Sequence, residues 1–144
     1  MIAGLVQSGA LPALERLVQF TSARHRVLTH NIANLSTPYF KPTDLDPKAF
    51  QEALGKAVDQ RRRQPNPNAK PLQMQDTRQL KFTEAGLAAT PQPLNENVLF
   101  HDENNRDLER TMQRLAENTL AHNAGVEMLR NQFQMLRSAI REQP

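Results

Sequence analysis

Residues 108–141, LERTMQRLAENTLAHNAGVEMLRNQFQMLRSAIR, decide the fold. Within them Leu108, Met112, Leu115, Thr119, His122, Val126, Leu129, Phe133, Leu136 and Ile140 recur at alternating intervals of four and three, the spacing that keeps side chains on one stripe of an α-helix. Asn104 or Asn105 offers a cap, Asp107 and Glu109 suit the positive end of the helix dipole, and Arg137 and Arg141 suit the negative end. Together these features predict a helix over 105–141. Gly125, inside it, costs about 1 kcal/mol relative to alanine, and the close approach of a second helix is one reason to keep it.

A matching stripe lies near the other end of the chain. Leu11, Leu14, Val18, Thr21, His25, Leu28, Ile32 and Leu35 follow the same alternation and predict a helix over 11–35. Pro12 fits its first turn, and Pro38 pushes Thr37 out of helical backbone and closes the element. Each stripe carries a polar middle. Setting Leu35 opposite Leu108 in an antiparallel pair places Thr21 against His122 and His25 beside Thr119, so that polar groups meet polar groups; a slip of one heptad strands an imidazole or hydroxyl among apolar side chains. The expected fold is therefore all-α: two long terminal helices paired as an antiparallel coiled-coil-like hairpin, with the alternative that the same stripes pair between chains.

The segment between the stripes reads differently. Eight of the ten prolines lie between Pro38 and Pro93, which excludes one long helix there. Asp46 and Pro47 form a cap and first-turn pair ahead of Phe50, Leu54 and Ala57 or Val58, predicting a short third helix. Residues 36–59 thus read as a loop followed by that helix. Residues 60–100 read as a flexible or irregular, Pro-rich middle, with strand or loop undecided over 77–100. The whole chain, 1–144, reads as one unit.

Composition narrows the function classes. Only 38% of the 144 residues are hydrophobic, below the roughly 45–50% of ordinary globular chains, so a deep core is not expected. There is no cysteine, which removes disulfides, thiolate metal sites and thiol catalysis. No run approaches the ~18 apolar residues of a membrane span, and Met1–Ala13, with no basic residue before Arg16, reads as a retained terminus rather than a signal peptide. A phosphate-binding Gly-rich loop, HExxH and GxSxG are all missing. His25 and His122 lie on facing stripes, but two imidazoles without a carboxylate are an incomplete ligand set, so no metal and no cofactor are expected. Asp44 and Asp46 read as turn residues rather than a catalytic pair. Arg61–Arg63 opens a competing reading, a helical hairpin that binds nucleic acid or regulates through a basic loop. The absence of neighbouring aromatic residues for stacking favours a solvated loop or an acidic protein contact instead.

The exit of the first helix is more specific. Asn31-Ile32-Ala33-Asn34-Leu35-Ser36-Thr37-Pro38-Tyr39-Phe40-Lys41 resembles the NIAN…TPGYK signature of the flagellar rod and hook family of axial proteins. The tail, from His101-Asp102-Glu103-Asn104-Asn105 through Leu115-Ala116-Glu117-Asn118 to Phe133-Gln134-Met135-Leu136-Arg137, resembles a basal-body rod member of that family. The resemblance covers roughly residues 10–54 and 98–142. It implies a structural subunit of the proximal rod of the flagellar basal body, crossing the periplasmic space, without catalytic activity. It further implies export by the flagellar type III system in an unfolded or nearly unfolded state, and order gained on assembly. The implied partners are other rod proteins, the basal-body/export-gate junction protein and copies of the chain itself, with no nucleic acid and no membrane insertion. Asn31, Asn34, Thr37, Pro38, Tyr39, Phe40 and Lys41 are the expected assembly loop. Two departures stand out: Tyr39-Phe40 replaces the usual Gly-Tyr, so a turn with positive φ is expected to be built differently, and Arg106 replaces a common valine.

Overall fold

The computed structural model describes residues 10–65, 71–83, 86–94 and 108–141. Its elements are α1 (Leu11–Ala33), β1 (Thr43–Asp44), α2 (Pro47–Arg62), β2 (Leu80–Thr83), β3 (Gly86–Ala89), β4 (Gln92–Pro93) and α3 (Leu108–Arg141). The chain is mostly helical. The all-α expectation is corrected in the middle of the chain, where β1 pairs antiparallel with β4 and β2 with β3 in two short ladders. These ladders escape a periodicity argument because strands of two to four residues are too short to establish alternation.

Helix α1 begins with Pro12 in its first turn and ends at Asn34, whose backbone N–H and side chain both bond the His30 carbonyl. Helix α2 starts where Asp46 accepts hydrogen bonds from the backbone of Lys48 and Ala49. It runs to Arg62, three residues past the expected limit, with Arg61 and Arg62 in its last turn, where positive charge suits the carbonyl end of the helix. The expected cap residues Asn104, Asn105 and Asp107 lie outside the described residues.

Two different contacts hold α1. One of its faces packs on a small body made of β1–β4 and α2, whose core is Phe20, Leu45, Phe50 and Leu80, with Val27, Leu54, Phe82 and Leu87 packed around it. Phe20 and Phe50 stack with ring centroids 4.2 Å apart and planes 3° from parallel. Arg16 reaches from α1 to the carbonyls of Thr83 and Gly86 at 3.1 Å each, tying down the β2–β3 ladder. The other face meets α3. Contacts there run in opposite senses along the two helices: Leu17 and Val18 lie against Gly125, and Thr21 lies against Asn118 and His122. A Cβ built on Gly125 would stand 3.2 Å from Val18 Cγ2 and 3.3 Å from Leu17 Cδ2, so the glycine marks a close helix approach.

Candidate functional site

The polar middle of the two stripes is a hydrogen-bonded layer. Thr21 donates its hydroxyl to the Leu17 carbonyl at 2.9 Å, and His122 Nδ1 lies 2.9 Å from the Thr21 hydroxyl oxygen. A hydroxyl has one proton, so with that proton on Leu17 the oxygen accepts from Nδ1–H of His122. Asn118 adds a hydrogen bond from its side-chain amide to the Thr21 carbonyl at 2.8 Å. Asn118 is buried although it lies off the apolar stripe.

The stripe read from sequence on α3 splits in two. Leu115, His122, Leu129 and Leu136 are half-buried, whereas Thr111, Asn118 and Gly125 are buried, the last two directly against α1. The other half, Met112, Thr119, Val126, Phe133 and Ile140, stands off to one side, with Met112, Phe133 and Ile140 exposed and Thr119 and Val126 half-buried, and Leu108, at the start of the first half, is exposed as well. On α1, Leu28 and Thr21 are buried, Leu14, Val18 and Ile32 half-buried, and His25 exposed. Phe133 and His25 are therefore corrections to the expected seam. Gly125 lets the helix backbones approach closely and Asn118 bonds across at the same contact, so these two residues take the place of larger apolar residues beside them.

The loop from Asn34 to Pro42 is built around a turn. The Phe40 N–H donates to the Thr37 carbonyl at 3.3 Å, Pro38 takes the second place, and Tyr39 in the third has φ 59°. These are the marks of a type II turn. The expectation that this chain builds the turn differently is corrected: tyrosine adopts the left-handed backbone that glycine would adopt without strain. Both ends of the loop are fastened to buried groups. Asn31, 1% exposed, donates its amide to the Thr43 carbonyl at 2.6 Å and accepts from the Thr43 N–H at 3.1 Å. Arg24 binds Asp44 through two parallel bonds, Nε to Oδ1 at 2.8 Å and a terminal nitrogen to Oδ2 at 2.7 Å, and the Leu45 N–H donates to Oδ1 at 2.7 Å.

Of the expected loop set, Asn31 faces inward and fastens β1. Asn34 shapes the helix end through the His30 carbonyl. Phe40 is half-buried against the edge of His30, centroids 5.6 Å apart. Thr37, Pro38, Tyr39 and Lys41 are exposed. Arg24 and Phe20 have no place in the sequence reading, and Asp44 enters it only as a turn residue. Arg24 is polar and so carries no signal of burial; its spacing from Phe20 and Asn31 on one side of α1 is the one available cue.

Among the described residues, no group of three or more His, Cys, Asp or Glu stands close enough to hold a metal ion, and no helix is long and apolar enough to cross a membrane. His25, exposed, is not brought into the layer that holds His122. Arg62 and Arg63 are exposed and Arg61 half-buried at the end of α2.

No family model matches the chain. Across 141 aligned residues it is 26% identical to the flagellar basal body rod protein FlgB of Yersinia enterocolitica, an alignment covering 93% of this chain and 95% of that one.

Proposed function

We propose that this chain is a structural, non-catalytic subunit of a bacterial flagellar rod, in its proximal part. The observation that carries the reading is similarity to a flagellar basal body rod protein along nearly the whole length of both chains. The geometry supports it in three ways. The long helices α1 and α3 pack in opposite senses with Thr21, Asn118 and His122 bonded between them, which supports reading them as a coiled-coil-like hairpin. The apolar side of α3 bearing Leu108, Met112, Phe133 and Ile140 is exposed in a single chain, and exposed apolar side chains along one element mark a surface that other chains cover. The loop carrying the signature is fastened at both ends and holds Thr37, Pro38, Tyr39 and Lys41 outward, as a contact surface of low entropic cost needs.

In this reading the subunit leaves the cell through the flagellar type III export route and gains its final order on joining the rod. There it meets other rod proteins, the basal-body/export-gate junction and further copies of itself. Deletion of the gene, with complementation by an epitope-tagged copy, tests it. The expected result is non-motile, hookless cells on deletion and label at the proximal rod of isolated basal bodies on complementation. Normal hooks in the deletion strain, or label absent from basal bodies, would overturn it.

A further inference from the structure

The two aromatic side chains of the loop are presented in opposite ways. Phe40 rests on His30, whereas Tyr39 is 74% exposed at φ 59°. A residue with a Cβ pays for that backbone conformation, and a ring in water recovers nothing in return. Neither end of the loop is free to relax, because Asn31 holds Thr43 and Arg24 holds Asp44. A strained, outward and fixed tyrosine has the character of an interface anchor, since its large amphipathic ring is ordered before binding.

The same chain offers a seat for such a ring. Between α1 and β3 lies a half-open cleft of about 540 Å³, lined by Val18, Ala23, Arg26, Val27, Leu87 and Pro91 among others. Its walls mix aliphatic side chains with Gln19 and Ser22, which suits the apolar ring and polar hydroxyl of a tyrosine, and Arg26 supplies a cation that aromatic faces attract. Building on the rod-subunit reading, we propose that Tyr39 of one copy seats in the α1–β3 cleft of a second copy. Ring and cleft are different patches of one surface, so the contact is head-to-tail and repeats from copy to copy instead of ending at a two-fold pair, the kind of contact an open helical array requires. Arg24, Asn31 and Asp44 then act as positioning residues for the anchor.

The chain has no cysteine, so Ser36→Cys beside the anchor and Gln19→Cys at the cleft introduce the only thiols while leaving Tyr39 in place. Basal bodies from cells making this double variant, treated with a short bis-maleimide and separated in denaturant, should show a ladder extending past dimers. Bands stopping at dimer, or linkage only within one chain, would overturn the seat. Tyr39→Gly supplies the second test, with two readouts of opposite sign. The purified variant should melt at a higher temperature than the wild type because the backbone strain is gone, yet cells carrying it should export the protein and build no rods, while Tyr39→Phe restores them. Normal rods containing tagged Tyr39→Gly protein would overturn the anchor and leave the rod reading intact. Absence of the tagged wild-type chain from basal bodies would overturn the rod reading itself.

Discussion

The two buried faces of α1 achieve burial by different chemistry. Toward α3 the contact is made by small and polar groups, with Gly125 against Val18 and Leu17 and with Thr21 bonded to Asn118 and His122. Toward the β1–β4 and α2 body it is made by a stacked Phe20–Phe50 pair and the buried Arg24–Asp44 ion pair. The first face specifies how two helices slide past one another. The second fixes where a loop leaves the helix. A helix–helix contact has many near-equivalent registers, so it benefits from hydrogen-bonded groups that match in one of them. A loop junction has no such ladder of alternatives and is set instead by charge and geometry at a point.

The largest effect expected from this contrast lies at the junction. Arg24→Ala leaves Asp44 buried with, among the described residues, only the Leu45 N–H to compensate its charge, and breaking a buried pair by removing one partner costs about 3–5 kcal/mol. Urea unfolding of the purified chain measures it. A loss below about 1 kcal/mol would mean that the pair is not closed to water and that the two faces do not differ in kind.

The layer between the helices gives the next effect. Thr21→Val leaves His122 Nδ1 without its partner, at about 1–3 kcal/mol. Replacing both groups, Thr21→Val with His122→Leu, removes the unsatisfied atom and should recover most of that loss. A double-mutant cycle therefore expects a coupling of the order of 1 kcal/mol or more. Strict additivity of the two substitutions would remove the layer's claim to set the register.

How far the fold is legible in the sequence follows the same division. The 3.6-residue period of both stripes was enough to place α1 and α3 and to put Thr21 opposite His122, because polar residues interrupting an apolar stripe are conspicuous. It misdirected the reading of α3 at Phe133 and Met112, since hydrophobicity marks what can be buried by some surface and does not say which. Gly125, a helix weakener on composition, was a better guide to the contact. The junction was invisible for the opposite reason: Arg24, Asn31 and Asp44 look like surface residues until their partners, 12 to 20 positions away, are known. The short ladders depend on pairings such as Thr43 with Pro93, which no local pattern announces. At the loop, the letters Thr37-Pro38-Tyr39 showed a departure from the expected glycine, but whether the turn or the residue would yield was decided by the fastening of both loop ends.

Two glycines in helices sharpen the comparison at its smallest scale. Gly55 in α2 is exposed with nothing within 4 Å of a built Cβ, whereas Gly125 has Val18 and Leu17 at 3.2 and 3.3 Å. Glycine to alanine in an open helix position gains about 1 kcal/mol from backbone propensity alone, and Gly55→Ala should stabilise by that amount. Gly125→Ala draws the same propensity gain, but its new methyl must displace two side-chain ends by a few tenths of an ångström at a packed contact, so its net gain should be smaller. Gly125→Leu, which extends well beyond that space, should destabilise by about 1–2 kcal/mol. Thermal unfolding of the three variants gives the order Gly55→Ala, Gly125→Ala, wild type or near it, Gly125→Leu. Equal gains for the two alanines would show that α1 and α3 stand further apart than a packed helix pair. Because the propensity contribution is common to both positions, the difference between the alanine variants isolates the helix approach itself.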